Sequence, residues 1–357
     1  MRPKVVAVGL SGGVDSSVSA YLLKAQGYKV FGLFMKNWQD EDSDCNAKKD
    51  LQDVEKVCET LDIEYHTINF EKQYFDNVFS KCLEDFKKGI TPNPDILCNK
   101  EIKFNLFLKK ALGLGADFLA TGHYVQKELI NNEFYLLKGS DPNKDQSYFL
   151  YTLKSSILKK VLFPIGHLTK KRVRQIAKEQ NLVNHAKKDS TGICFIGKRK
   201  FSEFLSKFIQ YQPGDIQSTD GEIIQKHQGL SFYTIGQRKG LKIGGKGDAW
   251  YVADKDLKTN TLTVAQGKNH PSLFASKLIA YKISWVVDGF SINTPYICSA
   301  KIRYRQADTP CTIEKIENDH ITVSFENPQR AITKGQSIVF YKDNICLGGA
   351  VILDIFK

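Results

Sequence analysis

The sequence contains no pair of cysteines in CxxC spacing. Its eight cysteines, in 357 residues, stand far apart, at positions 45, 58, 82, 98, 194, 298, 311 and 346. Structural zinc sites and iron–sulfur clusters use closely spaced thiols, so neither is predicted here. A disulfide scaffold is not predicted either, because a reducing compartment keeps scattered cysteines as thiols. Most of these residues are therefore expected to be small, buried hydrophobic side chains.

Long apolar runs are also missing. No stretch approaches the roughly 18 apolar residues that a membrane-spanning helix requires. The first apolar run begins at Val5, which leaves no room for a signal or transit peptide. We therefore expect a cytoplasmic protein with no membrane partner. The length of the chain predicts two or three domains, each with its own core.

Positive charge is concentrated in one part of the chain. Residues 154–200 contain 13 basic and 2 acidic side chains, whereas residues 1–153 contain 19 basic and 22 acidic ones. A basic segment of this size is typical of a surface that neutralises nucleic-acid phosphates. The alternative is a solvated helix face, because the stretch Thr169 to Asn181 has a helical pattern.

Strand and helix patterns divide the chain into three parts. In residues 1–203 short apolar runs alternate with amphipathic stretches, which predicts an α/β domain with a parallel sheet. Residues 204–275 are rich in glycine and predict a small α+β domain with a tight turn around Asp254 to Asn260. Residues 276–357 contain repeated short strands, which predict a C-terminal β-barrel.

The strongest local motif follows the first predicted strand and opens the first predicted helix. It reads, residue by residue, Gly9, Leu10, Ser11, Gly12, Gly13, Val14, Asp15 and Ser16. Glycines allow a tight turn, and the free N–H groups and dipole of a helix N-terminus attract phosphate. The lysine of a Walker loop is absent. The motif SGGVDS resembles the pyrophosphate loop of N-type ATP pyrophosphatases, which implies ATP as a substrate, with Asp15 near the magnesium ion that accompanies it.

Two further segments contain a cysteine among residues that favour chemistry. Thr91 to Lys100 includes Asp95 and Cys98, and two prolines restrict its backbone. Lys188 to Gly197 includes Cys194, which stands between glycines and near several cations. Both features favour an exposed thiolate. A cysteine taken singly is more often a buried hydrophobic residue than a reactive one. Together with an ATP loop, these two indicate thiol chemistry.

Nine separated segments, in order along the chain, resemble the family of tRNA 2-thiouridylases. They are GLSGGVDSSV, TPNPDILCNKEIKF, ATGHYV, KDQSYFLY, LFPIGHLTKKRVRQIA, KDSTGICFIG, YTIGQRKGL, KIRYRQ and PQRAITKGQ. The resemblance covers essentially the whole chain. It implies a pyrophosphatase domain, a central tRNA-binding domain and a barrel that together hold the anticodon arm of tRNA. One minor departure is Ala350, where a third glycine is expected.

The resemblance also implies roles for individual residues. Residues Gly9 to Ser16 would bind ATP with Met35 and Gly122. Cys98 would be the nucleophile, Cys194 the persulfide carrier, and Asp95 an acid–base group. The residues expected to contact the target base or tRNA are Asn93, Pro94, Asp95, His123, Lys144, Asp145, Gln146, Arg303, Tyr304 and Gln336. For His123 a purely structural role is the alternative.

The implied reaction transfers AMP from ATP to the C2 oxygen of the wobble uridine, which makes that oxygen displaceable by sulfur. Either a Cys194 persulfide attacks C2 and a transient Cys98–Cys194 disulfide follows, or Cys98 releases hydrosulfide; the sequence does not separate these routes. The sulfur would come from a cysteine desulfurase or a relay protein, and the tRNAs would be those for Glu, Gln and Lys. The alternatives are another adenylating enzyme of the same class, such as a different tRNA thiolase or an amide-forming synthetase, and an inactive RNA-binding relative.

Overall fold

The structure, a computed structural model, describes residues 2–38, 46–189 and 201–357. Its first part contains seven strands, five of them in one parallel sheet of order β3-β2-β1-β4-β7 and two in a hairpin, β5 and β6. The strands are β1 (Val5–Leu10), β2 (Lys29–Lys36), β3 (Tyr65–Asn69), β4 (Phe118–Ala120), β5 (Val125–Ile130), β6 (Glu133–Lys138) and β7 (Val161–Leu162).

Ten α-helices and two π-helical segments lie in the described residues up to Leu205. The helices are α1 (Val14–Ala25), α2 (Asn46–Leu61), α3 (Glu71–Tyr74), α4 (Ser80–Lys87), α5 (Pro94–Leu97), α6 (Leu108–Gly113), α7 (Ser147–Leu150), α8 (Ser155–Leu158), α9 (Lys170–Glu179) and α10 (Phe201–Leu205). The π-helical segments are Phe75–Phe79 and Cys98–Phe107. None of the helices within the described ranges is both long and apolar enough to cross a membrane.

The parallel sheet is buried on both faces. Val6 and Val8 pack into one hydrophobic core, while Ala7 between them packs into another, which also contains Leu33 and Leu119. Alternate residues of a strand point to opposite faces, so a strand covered on both sides is apolar throughout. The predicted α/β architecture is confirmed. Its ligand edge is the one where the parallel strands end.

The central part of the chain forms a four-stranded sheet of order β10-β11-β8-β9. Its strands are β8 (Gly214–Ser218), β9 (Ile223–His227), β10 (Trp250–Asp256) and β11 (Thr261–Gln266). The predicted tight turn is confirmed between β10 and β11, where Asp256 Oδ1 accepts a hydrogen bond of 2.8 Å from Lys258 N. Cys82 and Phe86 of α4 share the core of this sheet, which therefore packs directly on the first part of the chain.

The C-terminal part is a closed antiparallel barrel of six strands. They are β12 (Phe274–Trp285), β13 (Tyr296–Lys301), β14 (Thr309–Glu317), β15 (His320–Arg330), β16 (Ser337–Lys342) and β17 (Ile345–Phe356). The barrel closes because β17 pairs with β12. The β5–β6 hairpin extends the sheet, since Leu136 and Leu137 pair with Cys346 and Ile345. The predicted barrel is confirmed, whereas strand β12 and this hairpin were not predicted.

The domain division at 203/204 and 275/276 stays a prediction. Both positions fall inside elements, the first in α10 and the second in β12. In α10, Phe204 belongs to the core under the parallel sheet, whereas Leu205 belongs to the core of the central sheet. The helix therefore connects two cores.

Candidate active site

The loop between β1 and α1 has the geometry of an anion cradle. Gly12 has a φ of +71°, and a Cβ there would lie 2.6 Å from the Asp50 carbonyl oxygen, so only glycine fits. Ser16 Oγ accepts from Ser11 N at 3.2 Å and donates to Gly13 O at 3.0 Å. Gly13 is the N-cap of α1, and no side chain from this position bonds the N–H groups of the first turn. The loop therefore presents a helix N-terminus suited to phosphate.

Two further predicted ATP residues lie at the same edge of the sheet. Met35 is near the end of β2, and Gly122 follows β4, so they flank the loop at the end of β1. A Cβ at Gly122 would lie 2.7 Å from Ser16 N and 2.8 Å from the carbonyl carbon of Asp15. The structure thus brings the predicted ATP residues together; their contact with ATP stays a prediction.

Asp15 is part of a charged network that the sequence did not predict. Its carboxylate accepts from Tyr124 Oη at 2.7 Å and from Lys170 Nζ at 2.7 and 2.8 Å. Burial and the nearby Asp15 raise the pKa of Tyr124, so its hydroxyl remains a donor. Lys170 also contacts Asp189 at 2.7 Å. Lys170 of the basic segment therefore binds the predicted ATP loop directly.

Asp189 forms ion pairs with three basic side chains that were predicted to face tRNA. Besides Lys170, it bonds Lys144 at 2.5 Å and Arg174 at 2.9 Å. Although burial opposes the shift, the hydrogen bonds from Lys144 and Lys170 lower the pKa of Asp189 to about 2. Much of the positive charge of the described basic segment is therefore partnered within the protein. The lysines and arginines of this described segment that are exposed are Lys159, Lys160, Lys171, Arg172, Lys178 and Lys188, of which Arg172 pairs with Glu179 at 3.1 Å.

The second predicted segment places Asp95 and Cys98 on one side of a helix. Asn93 caps α5, accepting from Ile96 N at 3.3 Å, and Pro94 occupies the first turn, where a missing N–H costs nothing. Residues three apart in a helix are neighbours on its surface. Cys98 is 3% exposed, and Asp95 is half-buried. Burial raises the pKa of Asp95, and Lys103 partly offsets this.

The predicted partner of Cys98 lies outside the described residues. Of the segment Lys188 to Gly197, the structure describes Lys188 and Asp189, so Cys194 has no described position, and neither has Cys45. The other five cysteines, at positions 58, 82, 298, 311 and 346, are buried. For these five the prediction of buried hydrophobic residues is confirmed. Burial raises the pKa of Cys58 to about 11 and that of Cys82 to about 12, which disfavours the reactive thiolate.

The predicted tRNA residues between β4 and α7 follow the strand that flanks the ATP loop. Their side chains contact other groups of the protein. His123 Nδ1 lies 2.8 Å from Thr121 Oγ1, and burial lowers the pKa of His123, so the ring is neutral at pH 7. Gln146 Oε1 accepts from Tyr124 N at 2.9 Å. Asp145 is buried, and its carboxylate bonds Lys301 Nζ of the barrel at 3.0 Å. That ion pair gives Asp145 a structural role between two domains.

The predicted tRNA residues of the barrel also bridge domains. Arg303 donates to Ile235 O at 2.8 Å and to Ala331 O at 2.9 Å, and burial lowers its pKa. Tyr304 packs on Phe149 with ring centroids 4.4 Å apart. Gln336 is bonded to the loop before α5. For all of these residues, contact with tRNA stays a prediction.

The sequence reasoning missed Tyr124, Lys170 and Lys301 as members of the site and its supports. Each stands inside a segment that carried the resemblance, in ATGHYV, LFPIGHLTKKRVRQIA and KIRYRQ respectively. That membership was the available signal. Only the fold shows that Lys170 reaches Asp15, 155 positions away in the chain.

A parallel sheet with an anion loop at its ligand edge, followed by a small sheet and a closed barrel, is the arrangement expected of the ATP pyrophosphatase class, whose loop the SGGVDS motif resembles. Residues 4–198 match the family described as tRNA methyl transferase HUP domain. Residues 202–266 match the tRNA methyl transferase PRC-barrel domain, and residues 275–352 match the aminomethyltransferase beta-barrel domain.

The chain is similar over nearly its whole length to proteins named tRNA-specific 2-thiouridylase MnmA. It is 55% identical to that of Protochlamydia amoebophila, covering 98% of this chain and 93% of the relative. It is also 55% identical to those of Idiomarina loihiensis (98% and 96% covered) and Geobacillus kaustophilus, where the protein is called MnmA 1 (100% and 97% covered). The chain therefore belongs to the tRNA-specific 2-thiouridylase family, which confirms the resemblance drawn from its motifs.

Proposed function

We propose that this protein catalyses the ATP-dependent 2-thiolation of the wobble uridine of tRNA. The observation that carries the proposal is the pairing of an anion-binding loop with a helix that bears Asp95 and Cys98, in a chain of this family. The loop suits the pyrophosphate that departs when AMP is transferred. The helix suits the second half of the reaction, in which sulfur replaces the activated oxygen.

In the first step the C2 oxygen of uridine attacks the α-phosphorus of ATP, and pyrophosphate leaves. The N-terminus of α1 would stabilise the departing negative charge. Asp95, whose pKa is raised by burial, would exchange a proton with the uridine, since a pKa nearer neutrality suits general acid–base catalysis. Asp15 fits a magnesium ion, which proteins often hold with one or two carboxylates and substrate phosphates.

Lys170 also takes part in the proposed reaction. Its Nζ lies between Asp15 and Asp189, and its side chain is 12% exposed. If Asp15 held a magnesium ion, Lys170 would be free to supply positive charge to the ATP phosphates, as a Walker lysine does elsewhere.

In the second step a persulfide carried by Cys194 would deliver sulfur to C2, and AMP would leave with the original oxygen. In one route the Cys98 thiolate would then attack Cys194 Sγ, which breaks the bond to the sulfur on C2 and forms a Cys98–Cys194 disulfide. In the other, Cys98 would first attack Cys194 Sγ of the persulfide, forming the same disulfide and releasing the hydrosulfide that then attacks C2. An external thiol reductant would return the disulfide to two thiols, and a cysteine desulfurase or relay protein would then reload Cys194. The substrates would be the tRNAs for Glu, Gln and Lys, bound through their anticodon arm.

The two cysteines should fail differently when replaced. Cys194→Ser should abolish 2-thiouridine yet retain ATP-dependent adenylation of tRNA, because no thiol takes part in AMP transfer. Cys98→Ser should also abolish the product, while Cys194 still accepts a persulfide, detected as an added sulfur mass on its peptide.

The control is Cys58→Ser, since Cys58 is buried behind β2 and has a raised pKa. It should form 2-thiouridine at close to the wild-type rate. Near-normal product from either Cys98→Ser or Cys194→Ser contradicts the two-thiol chemistry.

A further inference from the structure

The four residues Gly89 to Pro92, here called the approach segment, lead into α5, which carries Asp95 and continues into the π-helical segment that begins at Cys98. Their backbone groups are bonded largely by other domains. Gly89 O accepts from Lys255 Nζ of the central sheet. Thr91 N donates to Lys334 O of the barrel at 3.1 Å. Because backbone polar groups that are shielded from water need hydrogen-bond partners, the other two domains help to fix the backbone path of this segment.

Gln336 makes the most specific of these contacts. Its Nε2 donates to Thr91 O at 2.9 Å and to Pro92 O at 3.0 Å. Because both partners are carbonyl oxygens, only the NH₂ end of the amide fits there, and the orientation of the side chain is fixed. Both amide protons are thus used. While this tie is intact, Gln336 can offer RNA only its Oε1, as an acceptor.

The residues on either side of Gln336 reinforce the same contact. A Cβ at Gly335 would lie 2.2 Å from Ile90 Cγ2 and 3.0 Å from Thr91 O, so the barrel backbone lies against the approach segment. Ser337 O accepts from Tyr148 Oη at 3.0 Å. The side chain of Asn93, the cap of α5, lies near the Tyr148 hydroxyl.

We propose that Gln336 is a positioning residue, which fixes the approach segment so that α5 and the π-helical segment after it present Asp95 and Cys98 to the substrate. The sequence resemblance implies a tRNA contact for this residue; the geometry adds a tie between the barrel and the catalytic helix. The proposal rests on the proposed function for its catalytic consequence. Its structural part is independent of any activity.

The test replaces Gln336 with Glu, which keeps the size of the side chain but puts an acceptor against two carbonyl oxygens. The first measurement is the rate at which iodoacetamide alkylates Cys98 in the free enzyme, without tRNA or ATP. Cys98 is 3% exposed in the intact structure. Loss of the two Gln336 hydrogen bonds should let the approach segment open locally, which should raise the alkylation rate of Cys98 about tenfold or more. Cys58 and Cys311 should stay protected, because they lie in two hydrophobic cores that do not contain Cys98.

The matched control is Gln225→Glu. Gln225 is also half-buried, and its Nε2 donates to Leu241 O at 2.8 Å, but it lies in the central sheet away from the approach segment. Alkylation of Cys98 should stay at the wild-type rate in this variant. The second measurement is kinetic: Gln336→Glu should lower kcat for 2-thiouridine about tenfold or more, while the Kd for tRNA changes less than about threefold.

Wild-type protection of Cys98 in Gln336→Glu, or a loss confined to tRNA affinity with kcat unchanged, overturns the positioning role. If this variant also exposes Cys58 and Cys311, the chain is globally unfolded, and Gln336→Asn then provides the test. Its shorter side chain cannot reach both carbonyls, so Cys98 protected as in the wild type contradicts the proposal. Alkylation of Cys98 needs no substrate, so it reports on the Gln336 contact even in a protein without thiolation activity. Failure of the positioning role can therefore be distinguished from failure of the proposed function.

Discussion

Replacement of Gly122 by alanine should disturb the ATP loop directly. The added Cβ would lie 2.7 Å from Ser16 N and 2.8 Å from the Asp15 carbonyl carbon, whereas ordinary contact begins at 3.4 Å. Both neighbours are backbone atoms in the first turn of α1, so no side chain can rotate away. Relief of the overlap requires a displacement of about 0.7 Å between the loop and the end of β4.

A shift of this size falls on the groups that are proposed to hold the departing pyrophosphate. Misplacement of about 1 Å costs on the order of 100-fold in rate. We therefore expect tRNA-dependent pyrophosphate release to fall about 10- to 100-fold, which is about 1.4 to 2.7 kcal/mol of transition-state stabilisation. The assay follows pyrophosphate with saturating tRNA at several ATP concentrations.

The control is Gly113→Ala at the end of α6, where a Cβ meets nothing within 4 Å. This variant should keep its activity. It should also unfold at a slightly higher temperature, because alanine in a helix is more stable than glycine by roughly 0.5 to 1 kcal/mol. Pyrophosphate release by Gly122→Ala within about twofold of wild type would refute the placement of the ATP phosphates at this loop.

Three further predictions concern lysines. Burial lowers the pKa of Lys255 to about 8, so between about pH 8 and about 10 the unfolded chain binds more protons and stability rises with pH. Lys255→Met should remove that rise in urea unfolding, and an equal rise in both proteins contradicts it. Lys301→Met leaves the buried Asp145 carboxylate unpaired, so unfolding free energy should fall by about 3 to 5 kcal/mol; a loss under about 1 kcal/mol refutes the ion pair's role. Replacement of the exposed Lys171, Lys178 and Lys188 by Ala should flatten the slope of log tRNA affinity against log salt by about 2 to 3, and an unchanged slope supports a solvated helix face instead.

Local chemistry was readable from the sequence. The strand Val5–Leu10 is found as predicted, because a buried parallel strand is apolar throughout and Gly9 to Gly13 end it. Helix α9 was predicted from its periodicity, and Thr169 caps it by accepting from Arg172 N at 3.3 Å. A fixed relation between Asp95 and Cys98 was predicted from the two prolines that restrict their segment. The segment was predicted as a loop before a helix near Lys103, and this was wrong, because the chain is helical from Pro94 onward.

Contacts between distant parts of the chain were not readable. A count of charges identified a basic segment, but it cannot show that Lys170 turns inward to Asp15 while Lys171 faces solvent. The β5–β6 hairpin was missed because its pairing with β17 depends on how two domains meet. The same is true of Gln336, whose partners lie about 245 positions earlier in the chain.

The central claim is most directly tested by the product itself. The purified protein is incubated with unmodified tRNA, ATP, magnesium, cysteine and a cysteine desulfurase, and the wobble nucleoside is identified by mass spectrometry. The account predicts 2-thiouridine in the complete mixture, none when ATP is left out, and none when Cys98→Ser replaces the wild type. A wobble uridine that stays unmodified in the complete mixture, or 2-thiouridine formed without ATP, would contradict it.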